Sequence, residues 1–253
     1  MTESSKAAEP RYGTAGWSIP RASTEAFPAH GSHLERYASL FPAVEINSSF
    51  HRPHKRATYE RWAASTPPDF RFSVKIPKDI SHGRKLVDAH DALATFLDQA
   101  GGLGSKLEVL LLQLPPSFAF DAATATSFFE MVRGRVGPDL GLACEPRHAS
   151  WAGDGATAAM LAQHVARVAA DPVLLPDGAE PGGWSGLRYH RLHGAPRIYY
   201  SPYDAERLEL LARSIVAEGA AGSRCWSIFD NTASGAATTD TLSLQRLLRS
   251  DAL

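Results

Sequence analysis

Eight short runs of β-branched, aromatic and leucine-rich sequence recur along the chain, separated by stretches of helical period. The runs lie near Tyr12–Gly16, Ala43–Asn47, Phe70–Ile76, Glu108–Leu114, Gly141–Glu145, Ala166–Asp171, Leu187–His193 and Arg224–Phe229. Between them, Leu34, Tyr37, Ala38 and Phe41 repeat at i, i+3, i+4 and i+7, and Leu208, Leu211 and Ile215 at i, i+3 and i+7. Each set forms one apolar helix face. Ser201-Pro202-Tyr203-Asp204 has the makings of a helix start, with a hydroxyl cap, proline at the first helical position and an acid behind. Strand–helix alternation of this kind builds a parallel sheet with helices packed outside it. Eight units of roughly 30 residues each predict an α/β fold, a (β/α)8 TIM barrel forming a single domain over 11–253 with irregular later units. The irregular part is a Gly- and Pro-rich insertion at 177–186, after the sixth strand. A six-stranded doubly wound sheet would leave two runs unplaced and wants a glycine-rich first turn. Gly101-Gly102-Leu103-Gly104 precedes a strand instead of following one, so it reads as a loop.

Composition bounds the rest. With 44% hydrophobic residues and 26 basic against 27 acidic side chains, the 253-residue chain can bury a core and is not a disordered polymer. A formal net charge of −1 argues against bulk electrostatic capture of nucleic acid or anionic membrane. It leaves room for a local basic run, and Arg52, His54, Lys55 and Arg56 supply one; phosphodiester binding or processing is therefore an expectation, ranked after an enzyme acting on a small molecule and after a non-catalytic metabolite-binding protein. Cys144 and Cys225 are too few for a disulfide framework or a four-thiolate zinc site, which fits a cytoplasmic protein. No stretch approaches the roughly 18 apolar residues of a membrane span, and residues 1–10 read as a disordered N-terminal lead.

Strands buried on both faces should be apolar nearly throughout, and several here are not. In Val44-Glu45-Ile46-Asn47 the apolar pair shares one face and the polar pair the other. Phe70, Phe72, Val74 and Ile76 alternate with Arg71, Ser73 and Lys75, while Leu142 and Cys144 send Glu145 to the opposite face, with Arg147 just beyond. Glu45, Asn47, Lys75, Gln113, Glu145, Arg191 and His193 all fall at C-terminal strand ends, where barrel active sites form. Unpaired buried charge costs several kcal/mol, so such a set pairs internally or meets a ligand.

Glu45 and Glu145 form a candidate acid–base pair, and Lys75 is a candidate base or Schiff-base amine; these are the expected catalytic residues. Arg147, Arg191, Asn47, Gln113, His148, His193 and Trp151 are the expected substrate contacts, with the cations suited to an anionic or sugar-like small molecule. Possible metal donors (Glu45, Glu145, Asp171, His148, His193) are scattered, with no HExxH pattern, so neither metal nor cofactor is assigned. Trp17, Phe50, Trp151 and Phe229 are aromatic candidates for the mouth or for capping the core.

Six blocks carry a family resemblance: Gly13-Thr14-Ala15-Gly16-Trp17, Val44-Glu45-Ile46-Asn47-Ser48-Ser49-Phe50, Lys75-Ile76-Pro77, Gln113-Leu114-Pro115-Pro116-Ser117-Phe118, Glu145-Pro146-Arg147-His148-Ala149-Ser150-Trp151 and Tyr189-His190-Arg191-Leu192-His193-Gly194. In this order they resemble the YecE-like family, catalogued as domain of unknown function seventy-two. The resemblance implies a TIM barrel and no established activity. Phe50-His51 stands where the family usually has Phe-Tyr, and Phe229-Asp230-Asn231-Thr232 where it has an Asn-Asn-Asp type run, so Asp230 is not assigned to the site.

Overall fold

Strands covered on both faces need two apolar surfaces, and the sequence supplies both. The structure, a computed structural model, describes residues 9–176 and 178–250. Most of the expected N-terminal lead (residues 1–8), Asp177 of the insertion and residues 251–253 lie outside the described residues. The strands are β1 (Arg11–Thr14), β2 (Ala43–Ile46), β3 (Arg71–Lys75), β4 (Leu107–Gln113), β5 (Gly141–Glu145), β6 (Val165–Arg167), β7 (Ala169–Asp171), β8 (Gly182–Gly183), β9 (Leu187–Leu192) and β10 (Arg224–Phe229). Helices α1 (His33–Ala38), α2 (Arg56–Ala64), α3 (His90–Ala100), α4 (Ala122–Arg133), α5 (Asp154–Ala162), α6 (Ala205–Ala220) and α7 (Ala236–Ser250) connect or follow them.

A mixed α/β fold with two sheets results, ordered β1-β10-β9-β7 and β2-β3-β4-β5-β6-β8, with every pairing parallel except β6 with β8. The sheets meet at two seams. At one, Ala15 bridges Glu45 in parallel and the Gly16 N–H donates to the Glu45 carbonyl at 2.8 Å. At the other, the sixth expected strand is split: β6 pairs with β5 and β7 with β9, and Val168 between them donates to the Cys144 carbonyl at 2.8 Å. No helix follows β7 among the described residues; the insertion there carries the short β8, as its irregular composition leads one to expect.

One apolar cluster lies between strands and helices and includes Val44, Ile46, Phe72, Val74, Leu142 and Cys144. The other lies on the opposite strand face and contains Ala43, Val109, Leu111, Ala143, Ala166, Val168, Leu187, Tyr189, Trp226 and Ile228. Period-two alternation divides β2, β4, β5, β6, β9 and β10 between the two clusters.

Helix starts follow local chemistry. Ser32 and Glu35 form a reciprocal capping box before α1. The helix expected to begin at Ser201 begins three residues later. Asp204 is the cap, its carboxylate accepting from the Arg207 N–H at 2.8 Å, while Ser201 Oγ accepts from the Arg197 N–H within the preceding loop. The Gly101–Gly104 segment, expected as a loop, is part of a 3-10 turn over Gly101–Lys106.

Gly13 shows why β1 and β2 come so close. Tyr37 Oη accepts from the Thr14 N–H at 2.8 Å and donates to the Ala43 carbonyl at 3.1 Å, and a Cβ at Gly13 would overlap that same carbonyl oxygen. Gly13→Ala is expected to cost about 1–3 kcal/mol through backbone displacement at this seam. Thermal unfolding checks it: each kcal/mol lowers Tm by roughly 2–4 °C at this size, and an unchanged Tm would mean the seam is loose.

Candidate functional site

Tyr189 on β9 and Trp226 on β10 stack, with ring centroids 5.9 Å apart and planes 4° from parallel. A charged layer begins at this pair. Tyr189 Oη donates to Glu45 Oε2 at 3.0 Å and accepts from Ser73 Oγ at 2.9 Å, joining β9 to β2 and β3. Two residues further along β9, on the same face, stands Arg191.

Arg191 is the hub of the layer and has 0% exposure. Its Nε and Nη2 donate to Glu45 Oε2 and Oε1 at 3.0 and 2.8 Å, a two-pronged pairing. Nη1 donates to Glu145 Oε2 at 2.6 Å, and Nη2 also reaches Asp230 Oδ2 at 2.9 Å. Glu145 Oε1 accepts from Gln113 Nε2 at 3.0 Å and from Arg147 Nε and Nη2 at 3.0 and 2.9 Å. His193 Nδ1 lies 3.1 Å from Asp230 Oδ2, and its Nε2 lies 3.4 Å from Glu145 Oε1 without the alignment of a hydrogen bond. Strands β2, β4, β5 and β9 and the ends of β9 and β10 thus deliver one network from residues far apart in sequence.

Charge bookkeeping explains the protonation tendencies. Burial alone would raise the Glu145 carboxyl, but Arg191, His193 and Arg147 outweigh it and hold Glu145 well below the usual carboxylate range. Asp230 is lowered in the same way, burial being outweighed by Arg191 and His193. For His193 burial favours the neutral ring, yet Glu145 and Asp230 prevail and its pKa is raised.

Lys75 differs from the other cations. Its residue is 5% exposed, and among the described residues its amine has no hydrogen bond or ion pair. Nζ sits 4.1 Å above the Phe50 ring. Burial, helped by the Arg191 charge, pushes the amine down to about 8, and Glu45, Glu145 and Asp230 offset only part of this. His82 packs edge-on against the same Phe50 ring at 5.0 Å, and burial together with the charges of Lys75, Lys78 and Arg147 lowers its pKa. Beside Arg147 and His193 opens a cleft of about 360 Å³ walled by Pro172, Leu174, Ile198 and Tyr199.

The structure therefore brings together Glu45, Gln113, Glu145, Arg147, Arg191 and His193, with Lys75 within electrostatic reach. Asn47 directly follows β2, before a 3-10 turn over Ser48–Phe50, and its Oδ1 is buried without a hydrogen-bond partner among the described residues. Two expected contacts lie elsewhere. His148 caps a short 3-10 turn, its Nδ1 2.8 Å from Ser150 Oγ. Trp151 is fully buried, donates Nε1 to the Phe118 carbonyl at 2.9 Å and packs edge-on against Phe120; it is a core residue. Trp17 packs edge-on against Trp62, and Phe229 is fully buried near Tyr203. Of the basic run after β2, Arg56 is engaged by Glu60 and Asp98, and His54 lies 2.8 Å from Ser48 Oγ.

Asp230, which the sequence left unassigned, is the main addition. Ile228 faces the inner cluster, so period two sends Asp230 the same way, one residue beyond β10. The same count from Arg191 finds Tyr189. Among the described residues no group of three or more His, Cys, Asp or Glu side chains is placed to hold a metal ion.

Comparison with known proteins settles the lineage. The family described as Protein of unknown function DUF72 matches residues 11–253. The chain belongs to the DUF72 family. The UPF0759 protein YecE of Escherichia coli K12 is 36% identical over 85 residues, which span 34% of this chain and only 31% of that protein. The crystal structure of a DUF72 family protein from Enterococcus faecalis V583 superposes with a TM-score of 0.80 at 20% identity, covering 95% of this chain and 96% of that one. A xylose isomerase-like TIM barrel/4-hydroxyphenylpyruvate dioxygenase fusion protein matches at a TM-score of 0.50 and 14% identity, over 96% of this chain and 42% of the fusion. This DUF72 protein is thus TIM-barrel-like in fold. No helix among its described residues is long and apolar enough to cross a membrane.

Proposed function

We propose that the two sheets form one closed eight-stranded barrel, and that the protein is an enzyme acting on a small anionic molecule at the barrel's C-terminal mouth. Closure is supported by the Ala15–Glu45 bridge at one seam and by the split strand Val165–Asp171 at the other, which pairs with both sheets. A single observation carries the functional reading. Arg191 occupies Glu45, Glu145 and Asp230, so among the described residues the Lys75 amine is left without a counter-ion, over the Phe50 ring against which His82 also packs. A desolvated cation held this way is the half of an ion pair that an anionic ligand completes. Glu45 and Glu145, expected as an acid–base pair, serve instead to position Arg191 and Arg147, and Lys75 is the reactive group. Arg147 and Gln113 fix the edge of the site nearest the apolar cleft. The two buried free cysteines fit work in a reducing cytoplasm.

Thermal unfolding in phosphate, in small carboxylates and in neutral sugars, at matched ionic strength, tests this. An oxyanion at ten times its Kd adds about 1.4 kcal/mol and raises Tm by roughly 3–5 °C. Lys75→Met should weaken that response at least tenfold in apparent Kd. Stabilisation by neutral sugars alone, or an equal response in Lys75→Met, would overturn the anion reading. Recovery of every stabilising ligand chemically unchanged would favour a sensor over an enzyme.

A further inference from the structure

We propose that Lys75 is a carbonyl-capturing amine, condensing with a small oxo acid to form an imine. This deepens the anion-site reading above and rests on it. Three observations converge. First, the amine is geometrically free: Nζ lies over the face of Phe50, 4.1 Å from the ring centroid, while the neighbouring carboxylates are held by Arg191. An amine tied to a carboxylate would stay protonated and inert; a ring face holds the ammonium more weakly, so a covered amine set over it gives up its proton more readily and then presents its lone pair. Burial lowers its pKa to about 8 and so leaves a usable fraction neutral near neutral pH. Second, the remaining cations suit the acid end of such a substrate. Arg147 is partly exposed, with a side-chain exposure of 22%, and lines the apolar cleft; His82 packs on the same Phe50 ring as Lys75 and lies within electrostatic reach of both cations. Third, the cleft of about 360 Å³ beside Arg147 and His193 has Pro172, Leu174, Ile198 and Tyr199 in its walls, room for a short apolar tail. A molecule carrying carbonyl, carboxylate and apolar tail together is an oxo acid.

In the step itself, the Nζ lone pair attacks the carbonyl carbon and the C–O π electrons move to oxygen. The two protons lost by the neutral amine end on that oxygen, which leaves as water, and a C=N double bond joins Lys75 to the substrate. No oxidant or reductant is consumed.

The test is reductive trapping on the full chain. Wild-type protein is incubated with pyruvate or 4-methyl-2-oxopentanoate, each with sodium cyanoborohydride, followed by intact-mass measurement and peptide mapping. The expected product is a single adduct on Lys75, heavier by the oxo acid less one oxygen. Lys78→Met, a change at an exposed neighbouring lysine, should label like wild type. Lys75→Arg keeps the positive charge, so oxo acids should still raise its Tm while trapping disappears. If oxo acids stabilise the wild type but no adduct forms, or adducts spread over exposed lysines at equal rates, the amine role is wrong and the anion site stands. Should neither phosphate nor oxo acid stabilise the wild type, both readings fall.

Discussion

Replacing Arg191 with methionine is expected to leave most of the protein unfolded or insoluble at neutral pH, and mild acidification is expected to recover part of the loss. Arg191 is fully buried and donates to three carboxylates, Glu45, Glu145 and Asp230. Methionine fills a similar volume, so the change removes charge and hydrogen bonds more than packing. What remains is a cluster of like charges in a covered site. Removing one partner of a buried pair costs about 3–5 kcal/mol, and here three acceptors lose their donor at once, against a typical total stability of about 5–15 kcal/mol. The sign of the pH effect follows from the same geometry. In the wild type Glu145 and Asp230 are lowered, so the stability they contribute is present above the unfolded carboxyl range near 4 and is lost as pH falls through their folded values. His193 is raised, so its contribution is full below about 6.5 and is lost as pH rises through its folded value. In Arg191→Met the carboxyls shift upward instead, and protonating them relieves repulsion. Urea unfolding at pH 7.5 and pH 5.5 checks this. The gap between variant and wild type should narrow at the lower pH; a gap below about 1 kcal/mol at pH 7.5 would mean the carboxylates find other donors.

Lys75→Met carries the second large effect, and in the opposite direction: the ligand-free protein should become more stable. Lys75 is 5% exposed, has no counter-ion among the described residues and titrates near 8 in place of about 10.5. A lowered lysine pKa means that the fold disfavours the charged form. The cost is present at neutral pH and is relieved as pH rises from about 8 toward 10.5. Methionine removes the charge and keeps the apolar stem against Phe50, so at pH 7 the gain should be of the order of 2–3 kcal/mol. It should shrink toward zero by about pH 10. The same variant should lose the proposed oxyanion binding. Stability gained together with binding lost is the mark of a residue kept for its chemistry. A destabilised Lys75→Met would instead show that the amine is part of the structural network around Arg191.

How far the sequence foretold this site depends on what kind of signal each residue left. Glu45, Lys75, Glu145 and Arg191 are legible because each breaks the apolar pattern of a strand at its C-terminal end, and period two then fixes the face. Asp230 leaves the same signal one residue past its strand, and only the departure from the family pattern kept it off the expected list. Trp151 misled because an aromatic at a loop base can face the mouth or the helix layer, and no periodicity operates there to choose between them. The split of the sixth strand at Val168 was equally hidden. Ala166–Asp171 reads as one extended run, and only the three-dimensional path shows Val165–Arg167 pairing with β5 and Ala169–Asp171 with β9. The late start of α6 follows from two good cap residues, Ser201 and Asp204, competing within four positions. Division of labour among the charges was not legible at all. Sequence placed three cations and two glutamates at one rim, but only coordinates show that Arg191 takes the carboxylates and leaves Lys75 without an ion pair among the described residues.

That division is best tested by locating an ion. Crystals grown without phosphate or sulfate and soaked in sodium bromide would reveal bound anions by anomalous diffraction. If Lys75 is the free cation, bromide should lie in contact with its Nζ and close to Arg147, with Arg191 still enclosed by Glu45, Glu145 and Asp230. A Lys75 amine paired to Glu45 or Glu145, with no bromide at the mouth, would contradict it.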